Sequence, residues 1–297
     1  MIYRFFTSII LINRFRSVRT SNIDTETEIY GYDVSFPMLQ YQASTNYPGL
    51  PHNIDPKHYP TPNEYKDMPL QILGDRQSFY KKYMDGCHKH WSDHDRTHDT
   101  NVCDEFEKQR IQHVRDQVHS MRNFTDLGYK KIKAPDELFN LILKFWNDNK
   151  NQGEEDEEWI PGNSFVNYWE SMSTMVNVQH ENLKGGGFEL MKIIWKESVN
   201  IISEWTGKKL VPSSMYGIRV YKEGAILAPH VDRLPLICSA IINVAQDVDE
   251  NWPLEVVGHD NIARNITMEP GDMVLYESHS VVHGKCLFSL LLPKDHI

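Results

Sequence analysis

Apolar positions along this chain keep two different rhythms, one helical and one of strands. In PDELFNLILKFW, residues 135–146, Leu138, Ile142, Phe145 and Trp146 recur at three- and four-residue steps and share one helix face, with Pro135 placed where a missing N–H costs least. Residues 188–205 repeat the pattern after the glycines at 185–187: Leu190, Ile193, Ile194 and Ile201 predict one buried stripe, Trp195 and Trp205 join the core, and Gly207 ends the helix. Upstream, residues 76–121 are polar with a helical rhythm and a helix start near Cys103. Residues 164–171 alternate as a strand does. From Tyr216 the period falls to two. Short β-rich runs at 216–221, 226–231, 236–244, 254–257, 264–268, 273–276 and 280–283 are separated by turn residues. So many short strands so closely spaced predict a sandwich or jelly roll, with the preceding helices covering one sheet and a site in the mouth between sheets. The expected fold is therefore α+β. Residues 22–68, rich in Pro, Tyr, Asn and Asp, predict an extended irregular segment. The chain then divides into a leader over 1–22, an irregular to helical region over 23–122, and a main domain over 123–297.

Composition narrows the classes. With 40% hydrophobic residues among 297, the chain can bury one large core or two modest ones, and no repeat marks a solenoid. A net charge of −10 repels nucleic acid rather than gathering it. Part of the acidic excess lies in GEEDEE, residues 153–158, which reads as a solvated loop. The first twenty residues hold four arginines, no acid and a short apolar stretch from Phe5 to Ile12. They read as a secretory signal, an organelle transit peptide or a plain extension. No segment reaches the roughly eighteen apolar residues that a stable membrane span needs. Cys87 and Cys103 bracket a loop containing His88, His90, His94 and His98, so a disulfide and a structural zinc site are the alternatives there. Sequons at Asn123 and Asn265 are compatible with the secretory route, which is the favoured localisation.

The chemistry concentrates in three residues. Pro229-His230-Val231-Asp232 places an imidazole and a carboxylate two positions apart at a strand end, on one face. Ser280-Val-Val-His283-Gly284 supplies a second imidazole fifty-one residues after Asp232. Two nitrogens and one carboxylate oxygen on one face of iron(II) leave the opposite face open for ligands, whereas a structural zinc site closes with a fourth ligand. Arg233 and Ser280 are adjacent candidates to orient these ligands.

Together with Tyr216-Gly-Ile-Arg-Val-Tyr-Lys-Glu-Gly224 and Glu269-Pro-Gly-Asp-Met-Val-Leu-Tyr-Glu-Ser278, these segments resemble the prolyl 4-hydroxylase-like iron(II)/2-oxoglutarate-dependent dioxygenases in order and spacing, over about residues 163–284. The resemblance implies a double-stranded β-helix with flanking helices and an irregular N-terminal extension. It implies iron held by His230, Asp232 and His283, with 2-oxoglutarate, dioxygen and ascorbate as the accompanying small molecules. It also implies hydroxylation of a peptidyl residue such as proline, or of a small molecule. Tyr221, nine positions before His230, would touch 2-oxoglutarate, and Pro270-Gly-Asp272 would be the turn entering the strand before the distal histidine. The family places a Lys or Arg several residues past that histidine to clamp the far carboxylate. Here the candidates are Lys285, two positions on, and Lys294, after a proline. A terminus without the clamp leaves a second expectation, a catalytically impaired relative that serves as a binding domain. A third is a metal-binding cupin of other chemistry.

Overall fold

The computed structural model describes residues 76–93, 102–151, 153–249, 252–260 and 263–285, together with the backbone of 3–14 and 30–31. In chain order the elements are β1 Tyr3–Arg14, β2 Tyr30–Gly31, α1 Arg76–Asp93, α2 Val102–Gln117, β3 Tyr129–Lys133, α3 Asp136–Asn149, β4 Glu154–Asp156, β5 Thr174–Val176 and α4 Phe188–Thr206. They continue as β6 Leu210–Lys222, β7 Leu227–His230, β8 Cys238–Ile242, β9 Leu254–Val257, β10 Ala263–Ile266, β11 Asp272–Tyr276 and β12 Val282–Lys285. The fold is α+β. One sheet has the order β3-β11-β8-β1-β6-β5-β4, the other β2-β10-β9-β12-β7, and neither closes on itself. Pairing is antiparallel except that β1 runs parallel to both β6 and β8.

Alternation along the strands of the larger sheet assigns its two faces. Ile218, Val220, Cys238, Ala240, Ile242, Met273 and Leu275 join α3 and α4 in one core, while their neighbours Tyr221, Ile241, Val274 and Tyr276 join Leu254, Val256 and Ile266 of the smaller sheet in another. Successive side chains on a strand point to opposite faces, so one sheet serves two cores. The predicted strands from Tyr216 onward correspond to β6–β12, with the last beginning at Val282 because residues 278–280 form a turn.

In α3 the predicted face, Leu138, Ile142, Phe145 and Trp146, is buried; Asp136 and Glu137 occupy the first turn, where the helix dipole favours acids. The stripe on α4 is rotated from the expected one. Leu190, Met191, Ile194, Ser198 and Ile202 are buried, whereas Ile193 is 46% exposed and Ile201, Trp195 and Trp205 lie at the core border. Gly207 ends this helix in the left-handed region at φ 63°, its N–H reaching the carbonyls of Ser203 and Glu204.

Other expectations need correction. Residues 164–171 form no strand, only a single bridge between Val166 and Leu227. The acidic run is not simply a loop: Glu154–Asp156 is the edge strand β4, and Glu157 turns inward. Within the stretch read as a leader, Tyr3–Arg14 forms β1. Of residues 22–68 only Tyr30–Gly31 is described, and Lys294 lies outside the described residues. Among the described residues no helix is long and apolar enough to cross a membrane.

Helices α1 and α2 are joined by a Cys87–Cys103 disulfide, which settles the alternatives left by the sequence. Tyr83, Met84 and both cysteines pack on Ile226 and Ala228 of the β7 region. Ile111 and Val114 of α2 pack on Val231 and Val282. The helical pair thus backs the strands that carry the candidate ligands.

Candidate metal site

β7 and β12 are antiparallel neighbours, and in their register His230 lies directly opposite His283. Directly opposed side chains on one face approach closely, and the two imidazole centroids are 4.4 Å apart. Asp232 follows β7 by two residues, its N–H donating to the Ser278 carbonyl at 2.7 Å. Its Oδ1 lies 3.8 Å from His230 Nε2 and 3.9 Å from His283 Nε2. One donor atom from each of the three residues falls within 4.8 Å of the others, the one such group among the described residues.

The hydrogen bonds behind these side chains leave the right atoms free. His230 Nδ1 lies 2.9 Å from the Ala228 carbonyl, and His283 Nδ1 lies 2.9 Å from the Val281 carbonyl. A carbonyl only accepts, so each Nδ1 carries the hydrogen and each Nε2 presents its lone pair toward Asp232. Ser239 Oγ donates to Asp232 Oδ2 at 3.0 Å and accepts from Ser278 Oγ, which leaves Oδ1 facing the imidazoles. Burial holds His230 well below the ordinary histidine pKa, reinforced by His283; burial also lowers His283, against the pull of Asp232. Both rings are therefore neutral, the form that binds a metal. Two nitrogens and one oxygen, with no thiolate in the group, suit a divalent first-row ion such as ferrous iron.

The three residues line a cavity of about 340 Å³, whose walls also include Glu157, Trp159, Phe165, Arg219, Ile241 and Tyr276. Tyr276 packs at 4.6 Å centroid distance on His283, and Phe165 meets His230 edge-on at 5.5 Å. Arg219 is the one Lys or Arg in this lining. Its Nε and Nη2 donate to Glu157 Oε1 at 2.9 and 2.7 Å, and Nη1 reaches the Tyr221 hydroxyl at 3.4 Å. Burial opposes the guanidinium charge, but attraction from Tyr221 and Glu157 outweighs it and raises the Arg219 pKa.

Of the residues singled out from sequence, His230, Asp232 and His283 come together. Tyr221 is buried beside Arg219 and packs edge-on against Trp252 at 5.1 Å. Lys285 does not line the cavity. Its ammonium donates to the Trp252 carbonyl at 2.7 Å and sits 4.4 Å from the Trp252 ring centroid. Burial lowers its pKa to about 7, against the pull of Glu255. The two orienting candidates are also corrected. Arg233 is exposed, and Ser280 Oγ pairs with His259 Nε2 at 2.9 Å, while Ser239 takes the role beside Asp232. Arg219, Glu157, Tyr276 and Ser239 were missed; Arg219 and Tyr276 share the strand parity of the inter-sheet face, which was the usable signal. Comparison with protein-family models, with characterised proteins and with solved structures finds no match to this chain.

Proposed function

We propose that this protein is an iron(II)- and 2-oxoglutarate-dependent oxygenase on a jelly-roll scaffold, acting on a peptidyl residue such as proline or on a small molecule. The observation that carries this reading is the convergence of His230 Nε2, His283 Nε2 and Asp232 Oδ1 in the wall of one cavity. Bound there, iron with 2-oxoglutarate and dioxygen would supply the oxidising chemistry, with succinate and carbon dioxide as by-products.

The chain's own part is orientation and exclusion of water. The Ala228 and Val281 carbonyls fix the imidazole tautomers, and Ser239 fixes the carboxylate. Arg219 offers the cavity's guanidinium to a carboxylate ligand, with Glu157 and Tyr221 holding it in place. Trp159, Phe165, Leu227 and Ile241 give the remaining wall its apolar character. Anaerobic loading with Fe(II) followed by 2-oxoglutarate and oxygen is expected to yield iron-dependent succinate that Asp232→Ala abolishes. The absence of succinate from the iron-loaded protein would contradict the reading.

A second reading, an inactive binding domain, draws support from Lys285, whose ammonium is spent on the Trp252 carbonyl instead of entering the cavity. Iron binding without succinate formation is its expected signature.

A further inference from the structure

We infer that Gln117, the last residue of α2, is a positioning residue that sets the separation of Asp232 and His283 and thereby the metal affinity of the site. The inference rests on the metal-site reading above but not on any co-substrate or reaction.

A glutamine amide has two hydrogens and an oxygen with two lone pairs, and at Gln117 all four capacities are engaged. Nε2 donates to the backbone carbonyl of Asp232 and, at 3.1 Å, to that of His279. Oε1 accepts from the Leu234 N–H at 3.2 Å and faces His113 Nε2 at 2.8 Å. The side chain is 6% exposed, so water does not substitute for these bonds.

The identity of the partners gives the arrangement its meaning. Asp232 and Leu234 belong to the segment that leaves β7 with the carboxylate ligand, and His279 belongs to the turn that enters β12 and the distal ligand His283. Among the described residues two backbone hydrogen bonds run between these segments, a short one from the Asp232 N–H to the Ser278 carbonyl at 2.7 Å and a long one from the His279 N–H to the Ile237 carbonyl at 3.4 Å. The carbonyls of Asp232 and His279 are both acceptors and have no bond to offer each other. One NH₂ group bridges them, and no other uncharged side chain of similar length presents two donors and an acceptor from the same position. The amide reaches 115 and 162 residues along the chain to do so.

Helix α2 carries this amide on a fixed base. The buried Arg110 pairs with Glu107 and donates to the Pro229 carbonyl at 2.6 Å, immediately before His230. Ile111 and Val114 pack on Val231 and Val282. The helix therefore touches the flank of each metal ligand, and Gln117 is the point where two of those flanks meet.

The test uses the full chain titrated with Co(II), whose affinity and visible ligand-field absorption report ligand spacing. Gln117→Glu keeps an acceptor for Leu234 but loses both hydrogens; Gln117→Met keeps the length and loses all four bonds. Ile142→Val, on the buried face of α3, serves as a destabilised control remote from the site. Loss of an outer partner of this kind typically costs 10–100-fold in metal affinity, so both Gln117 variants are expected to bind Co(II) at least about tenfold more weakly, with an altered spectrum. Ile142→Val is expected to bind as wild type despite a lower Tm. Should Gln117→Met not fold, Gln117→Glu carries the comparison. Wild-type affinity and spectrum in the Gln117 variants, or an equal loss in Ile142→Val, would overturn the inference while leaving the metal site standing. Failure of the wild-type protein to bind Co(II) would overturn both.

Discussion

At Arg219 a guanidinium pairs with the nearly buried carboxylate of Glu157, and no other Lys or Arg lines the cavity. Removing the cation alone leaves the Glu157 charge, 11% exposed, with only the Ser173 hydroxyl donating to it. Breaking such a pair from one side costs about 3–5 kcal/mol, whereas removing both charges costs much less. Arg219→Leu is therefore expected to lose stability in that range by urea unfolding, and Arg219→Leu with Glu157→Gln to recover most of it. His279 gives a pH dependence. It is fully buried, Nδ1 at 2.9 Å from the Ile237 carbonyl and Nε2 without a partner, and burial lowers its pKa below the ordinary 6.5. Below 6.5 the unfolded chain takes up a proton that the folded one refuses, so stability is whole above that pH and is lost as pH falls further. The urea midpoint at pH 5.5 is expected to lie below that at pH 7.5, with a smaller difference in His279→Gln.

At the scale of elements, two junctions hold the site. The disulfide between α1 and α2 spans 16 residues, for which loop-closure entropy predicts about 3 kcal/mol. Cys87→Ser with Cys103→Ser is expected to lower the unfolding free energy by roughly that amount, and added reductant to have no further effect on the variant. Gly284, between His283 and Lys285, is required by close approach of strands. A Cβ there would lie 2.7 Å from the Leu227 carbonyl and 2.9 Å from the Pro229 nitrogen, both backbone atoms of the β7 region. Gly284→Ala must push β12 off β7 and separate the two histidines. A loss of about 1–3 kcal/mol together with weaker metal binding is expected; unchanged metal binding would mean the strands absorb the methyl without moving the ligands. The elements themselves were legible where the period was long and regular. α3 matched its apolar face because four large residues keep strict spacing, and β6–β12 matched because turn residues punctuate them. The stripe on α4 was misjudged because Ile193 and Ile194 are adjacent and both apolar, so only packing against the sheet decides which one faces it.

For the whole molecule, the sequence exposed the three candidate ligands and hid what surrounds them. His230 and Asp232 are two residues apart, a local fact, and His283 announced itself through the run that contains it. The partners of those ligands come from elsewhere in the chain. Ser239 lies on β8, Gln117 on α2 and Arg219 on β6, and only the packing of the two sheets on each other and of α2 against the strands brings them together. Lys285 failed as a cavity cation for a related reason: its strand parity suits the inter-sheet face, but Trp252 offers a carbonyl and a ring that capture the ammonium first. The central claim is that one metal ion is held by two imidazoles and one carboxylate. It is tested most directly by anaerobic equilibrium dialysis against Fe(II), with metal analysis of the wild-type protein, Asp232→Ala and His283→Ala. The account predicts one iron per wild-type chain and at most a small residual fraction in each variant; no bound iron in the wild type, or equal iron in all three proteins, would contradict it.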